Sequence, residues 1–184
     1  MKNFQVKILT VLVFIALFIL NMGNVAARRH NNAPFPVGEF IRQMNGKPAP
    51  AFSLRDISGK TATLEDFKGK VVYMDVWATW CAPCLLQIKK SETLKKHFES
   101  NKDVVFLYIS IDSDENKWKQ TIEKRHIKGI HLISSGGKES DLIQNYQVPS
   151  IPRFVLIDRE GNIADFNAKL PSGNGIVKDI EKLL

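Results

Sequence analysis

The order of hydrophobic patterns along this chain predicts an α/β fold, a central mixed sheet flanked by helices on both faces. Two apolar, β-branched runs, "KVVYMDVWA" and "DVVFLYISID", suit strands covered on both sides, and a helical pattern follows each of them. Further on, "PRFVLIDREGNIADF" reads as two strands joined through "DREGN", whose glycine permits the positive backbone angle of a tight hairpin. With 184 residues, 44% of them hydrophobic and 24% charged, the chain suits one ordinary globular core. The β-helix-β crossovers are expected to be right-handed.

The first residues follow a different logic. Lys2 and Lys7 precede an apolar stretch from Ile8 to Leu20, and "NMGNVAA" follows. That layout predicts a secretory signal peptide over residues 1–27, cut after Ala27, with the small Val25 and Ala27 at the positions a signal peptidase inspects. The apolar stretch is shorter than the roughly 20 residues of a membrane-crossing helix. Cleavage is therefore preferred over a retained anchor, and membrane contact is expected only if the leader stays. No cysteine follows the stretch to carry a lipid. The expected location is extracytoplasmic: periplasm or cell envelope.

Without residues 1–27 the chain keeps 24 basic against 19 acidic side chains. The lysines of "IKKSETLKKHF" are interleaved with Glu92 and Glu99 at helical spacing, the pattern of a solvated helix face, and no nucleic-acid partner is expected. Residues 28–47, within the proline-rich "RRHNNAPFPVGEFIRQMNGKPAP", read as an irregular lead-in, and the domain is expected over 48–184.

"AFSLRDISGKTATL" then predicts a β-hairpin around "SGK". After the first long strand, Cys84, Leu85, Ile88, Leu94 and Phe98 share one helical face. Lys89, Lys90, Lys95, Lys96 and Glu99 share the other. "DENKWKQTIEKRH" is a second helical pattern, followed by the short apolar "IHLI" and a brief helix in "KESDLIQNY". "SGNGIVKDIEKLL" closes as a helix with Ser172 as its expected N-cap.

Only two cysteines are present, Cys81 and Cys84. A disulfide between them closes so short a loop that it contributes little stability. A structural zinc site wants four ligands, and no second pair exists. Attached haem wants histidine after the second cysteine, where Leu85 stands. No metal and no organic cofactor is implied. A redox pair explains more. Cys81 falls where a buried strand hands over to a helix, so its sulfur meets unpaired backbone N–H groups and the positive end of the helix dipole, both of which favour thiolate. Cys84, one turn on and deeper, is placed to resolve what Cys81 attacks. Pro83 is tolerated in a first helical turn.

"WATWCAPC" resembles the active-site motif of the thioredoxin superfamily. The leader, the hairpin before the motif and the helix after "SIDSDE" make residues 48–184 most similar to its TlpA/ResA-like envelope branch. The resemblance implies a thioredoxin fold with an N-terminal β-hairpin extension and an extra helix inserted after the second core strand. It also implies a cis proline facing the sulfurs, preceded by a residue whose backbone pairs with substrate: Pro152 after Ile151, with Pro149 as the rival. Asp75, an acid inside an apolar strand, matches the aspartate of thioredoxins that relays a proton for the second cysteine. The alternative is a structural pair with a lysine such as Lys70. Trp77 reads as core. Trp80, Ala82 and Ile151 are expected to form an apolar rim around Cys81, which with Pro83 and Pro152 would hold substrate chains.

The function implied is a thiol–disulfide oxidoreductase, with a reductant preferred over an oxidant. Its expected partners are disulfide-containing or dithiol envelope proteins, such as apocytochromes awaiting haem, and a membrane-linked redox protein that recharges it. Peroxide reduction on the same fold wants threonine or serine where Ala78 stands. A copper-handling module wants a longer cysteine spacing and a matched histidine.

Overall fold

The structure, a computed structural model, describes residues 37–184; the expected leader and residues 28–36 of the lead-in lie outside the described residues. The first element corrects the sequence reading. Val37–Met44 is a helix, α1, where an irregular lead-in was expected to continue to residue 47. Its Ile41 and Met44, three apart on one face, pack against the main core. Its end is pinned by the Phe166 N–H donating to Asn45 Oδ1 (2.9 Å) and the Gly46 N–H donating to the Ile163 carbonyl (2.7 Å). Val37, Phe40, Ile41 and Met44 fall at helical spacing, i, i+3, i+4 and i+7, a local signal obscured by the prolines on either side of it.

Strands β1 (Ser53–Asp56) and β2 (Thr61–Thr63) pair antiparallel. In the turn between them, Asp56 Oδ1 accepts from Ser58 Oγ (2.6 Å) and the Lys60 N–H (2.9 Å), and Gly59 takes a φ of 88°. A 3-10 turn, Leu64–Phe67, drops Phe67 into the core. Next come β3 (Val71–Trp77), α2 (Ala82–His97), β4 (Val104–Ser110), α3 (Glu115–Lys124) and β5 (Ile130–Ile133). The expected brief helix is split into a 3-10 turn, Gly137–Glu139, and α4 (Asp141–Asn145), with Ser140 as N-cap between them. β6 (Arg153–Ile157), β7 (Ile163–Asp165) and α5 (Ile176–Glu181) follow.

The strands form one mixed sheet in the order β2-β1-β5-β4-β3-β6-β7. β3, β4 and β5 run parallel; β6 returns antiparallel beside β3. β3 is buried along its whole length, which is why its sequence lacks polar alternation. Its residues sort to two faces. Val71 and Tyr73 pack with Leu94 and Phe98 at the α2 end and with Ile176 and Ile180 of α5. Val72, Met74 and Val76 pack with Trp118 and Ile122 of α3 and Leu142 of α4. Helices therefore cover both faces. Among the described residues no helix is long and apolar enough to cross a membrane.

The last helix starts later than expected. Gly175, not Ser172, occupies the N-cap position of α5, and Ser172 Oγ instead donates to Gln87 Oε1 (3.0 Å). A hydroxyl that reaches a buried amide on α2 is unavailable to cap its own helix.

Candidate active site

β3 ends at Trp77, whose indole lies in the core, and the chain crosses to α2 through Ala78–Cys81. Cys81 is the N-cap residue of α2: its φ of −87° and ψ of 92° are extended, and its Sγ accepts the Cys84 N–H at 3.2 Å. One of the orphan donors of a helix N-terminus is thus directed at the sulfur, the arrangement that stabilises a thiolate. Cys81 and Cys84 form a disulfide, with their Cα atoms 5.2 Å apart. Pro83 sits in the first turn of α2, where its missing N–H costs no helix bond. Ala82 and Pro83 are exposed and Cys84 is buried.

The crossing loop is tied down by a residue the sequence reading did not single out. Asp112, just past β4 and 3% exposed, accepts from the Thr79 N–H (2.9 Å), Thr79 Oγ1 (2.8 Å) and Ser110 Oγ (2.6 Å). The two bonds from Thr79 hold the residue immediately before Trp80. An acid at the end of an apolar strand was the available signal, and only the fold reveals which loop it meets.

The Ile151–Pro152 peptide is cis, and among the described residues it is the only cis bond, so Pro149 is trans. Trp80 is 57% exposed. It lines a groove of about 250 Å³ together with Ile111, Ile143, Val148, Pro149 and Ile151. Two of the expected rim residues, Trp80 and Ile151, therefore meet across one apolar groove. Arg153, directly after Pro152, was also overlooked. Its guanidinium is buried, donates to Asn167 Oδ1, and lies 5.9 Å from the centre of the Phe166 ring. That links β6 to the segment after β7.

Asp75 is 2% exposed, and neither carboxyl oxygen has a hydrogen-bond partner among the described residues. Burial raises its pKa well above the usual carboxylate range, opposed by the positive charge of Lys95. The Lys70 pairing considered from the sequence is not made: the cation acting on Asp75 is Lys95, from α2. The reason is register. The β3–β4 ladder sets Asp75 beside Tyr108, and α2 lies over this face, with the hydroxyls of Ser91 and Tyr108 3.0 Å apart. Lys95 was assigned by spacing to the solvated face of α2, yet its side chain is only 11% exposed.

A strand that enters a helix through a CxxC disulfide, a cis proline at the head of the neighbouring antiparallel strand and a buried acid in the entering strand together define a thioredoxin-fold redox protein. Comparison with known proteins narrows the class. The Redoxin family model matches residues 44–184. The chain is 34% identical over 121 residues to the thiol-disulfide oxidoreductase ResA of Bacillus thuringiensis subsp. konkukian (strain 97-27), a match spanning 64% of this chain and 66% of that one. It is 31% identical over 140 residues to the thioredoxin-like protein YneN of Bacillus subtilis (strain 168), spanning 76% and 78%. A crystal structure of a Bacteroides vulgatus protein assigned as a thiol-disulfide oxidoreductase superposes with a TM-score of 0.69 at 35% identity, covering 76% of this chain and 96% of that one. The chain belongs to the Redoxin family and is a TlpA/ResA-like member of the thioredoxin superfamily, a class of thiol–disulfide oxidoreductases.

Proposed function

We propose that this chain reduces disulfides in proteins of the cell envelope, outside the cytoplasm, through the Cys81–Cys84 dithiol. The observation that carries the reading is Cys81 Sγ at the N-cap of α2, accepting the Cys84 N–H at 3.2 Å. A sulfur so placed is stabilised as thiolate, the attacking form in disulfide exchange.

In the reduced protein, Cys81 thiolate attacks one sulfur of a partner disulfide. An S–S bond forms between Cys81 and the partner, and the partner's other sulfur leaves as thiolate. Cys84 then loses its proton to the Asp75 carboxylate and attacks Cys81 Sγ. The Cys81–Cys84 disulfide forms, the partner is released with two electrons gained, and Asp75 holds the proton until the pair is reduced again by a membrane-linked dithiol protein. The apolar groove beside Trp80 and Ile151 takes the partner's extended chain. Asp75 needs both its states for this role. Burial favours the protonated acid, and the smaller, opposing pull of a nearby cation favours the carboxylate.

The test is a Cys84→Ser variant, reduced and mixed with envelope extract. Mixed disulfides through Cys81 should accumulate and appear by non-reducing electrophoresis and mass spectrometry, and Cys81→Ser should form none. Equal capture by both variants, or by neither, would remove the exchange cycle.

A further inference from the structure

Around Asp75 lies a set of buried polar groups to which the exchange cycle gives no part of their own. Asp75 stands beside Tyr108 in the β3–β4 ladder. The Tyr108 hydroxyl is 3.0 Å from Ser91 Oγ on α2, and Ser91 also donates to the Ile88 carbonyl at 2.7 Å. One helical turn past Ser91, the Lys95 ammonium lies 5.5 Å from the Tyr108 ring centre. It donates to the Lys128 carbonyl (3.0 Å) and pairs with Glu92 Oε1 (2.5 Å). A lysine on a solvated face has no reason to be held at three points. Here its stem is buried and its charge is brought in over a tyrosine that neighbours the one buried carboxylate among the described residues without a hydrogen-bond partner.

We propose that Lys95 is the positioning residue for Asp75: fixed over Tyr108 by Glu92 and the Lys128 carbonyl, its ammonium is the counter-charge that lets the buried carboxylate ionise and so accept the Cys84 proton. This rests on the reading of Asp75 as the proton partner of Cys84. The other titratable groups around Asp75 do not supply a positive charge. Tyr73 on its own strand and Tyr108 on β4 are held neutral by burial, and Phe154 faces it from β6. His131 of β5, stacked on Tyr108 at 5.1 Å, is kept neutral by burial. On α2, Glu92 is the anion that anchors Lys95, and Cys84 is the proton's source. The α5 residues packed on this face, Ile176 and Ile180, are apolar.

The experiment reads the Asp75 carboxyl directly, by the pH dependence of its carbon chemical shift in aspartate-labelled, oxidised protein. Lys95→Met should move the Asp75 midpoint up by about one pH unit or more, and Lys95→Arg, which keeps the charge, should leave it near the wild-type value. Lys95→Gln serves the same comparison if the methionine variant does not fold. A merely structural lysine would lower the unfolding temperature without moving the midpoint. An unmoved midpoint in Lys95→Met, or an equal shift in Lys95→Arg, overturns the proposal. The pH profile of disulfide exchange, measured on the same variants, separates the two readings. If the carboxyl midpoint moves and the exchange profile does not, Lys95 keeps its role towards Asp75 and the proton-relay reading falls.

Discussion

His131 sits in β5 with its ring stacked 5.1 Å from Tyr108, Nε2 at 2.8 Å from the Ile127 carbonyl, and Nδ1 without a hydrogen-bond partner among the described residues. Burial, with a smaller contribution from Lys95, pushes the imidazole down to about 4, against the Ile127 bond that favours protonation. The unfolded chain protonates this histidine near 6.5, so between there and about 4 it binds more protons than the fold does. Stability from His131 is thus complete above about pH 6.5 and is lost as pH falls towards 4, by on the order of 3 kcal/mol. Urea unfolding of wild type and His131→Phe across this window should show a steeper acid loss in wild type; parallel curves would show that the imidazole stays outside the linkage. At this scale, residue type and spacing exposed Cys81 and Cys84, and an acid in an apolar strand exposed Asp75. His131 and Lys95 were invisible because their roles come from neighbours distant in the chain.

The element that matters most is the crossing from β3 to α2. Its conformation is set by its own residues, with Cys81 capping and Pro83 in the first turn, and by a tie from another strand, Asp112 to Thr79. Thr79→Val removes the hydroxyl bond while keeping shape and the backbone bond. It should cost about 1–2 kcal/mol of stability and slow thiol alkylation at Cys81 in the reduced protein, because the loop that presents the sulfur loosens. Denaturant unfolding and timed alkylation check both effects, and an unchanged variant would make the tie incidental. Away from the crossing, Gly129, just before β5, shows how closely the backbone packs around Tyr108. Its φ is 134°, and a Cβ there would lie 2.7 Å from the Tyr108 ring.

For the whole molecule, Asp75 makes stability depend on pH. Burial raises its folded pKa above the unfolded value, so the folded protein binds more protons between the two. Its stabilising contribution is complete below the unfolded pKa and is lost as pH rises through the folded one. Asp75→Asn, which cannot ionise, should remove that decline. The variant should gain on wild type as pH rises, measured by urea unfolding at several pH values. If the two keep a constant difference, the carboxyl titrates as freely in the fold as in the open chain.

Periodicity, apolar runs and turn chemistry sufficed for the α/β class, the strands β3, β4 and β6, the long helix α2 and the cysteine pair at its head, because each depends on residues a few positions apart. Resemblance added Pro152 and its cis bond, which no local pattern carries. α1 too was legible, in the helical spacing of Val37, Phe40, Ile41 and Met44, but the surrounding prolines hid it. Packing alone decided the rest: Ser172 leaves its helix to meet Gln87, and Lys95 turns inward over Tyr108. In each of these cases the decisive partner is remote in sequence, and its free energy exceeds the weak local preference that spacing reports.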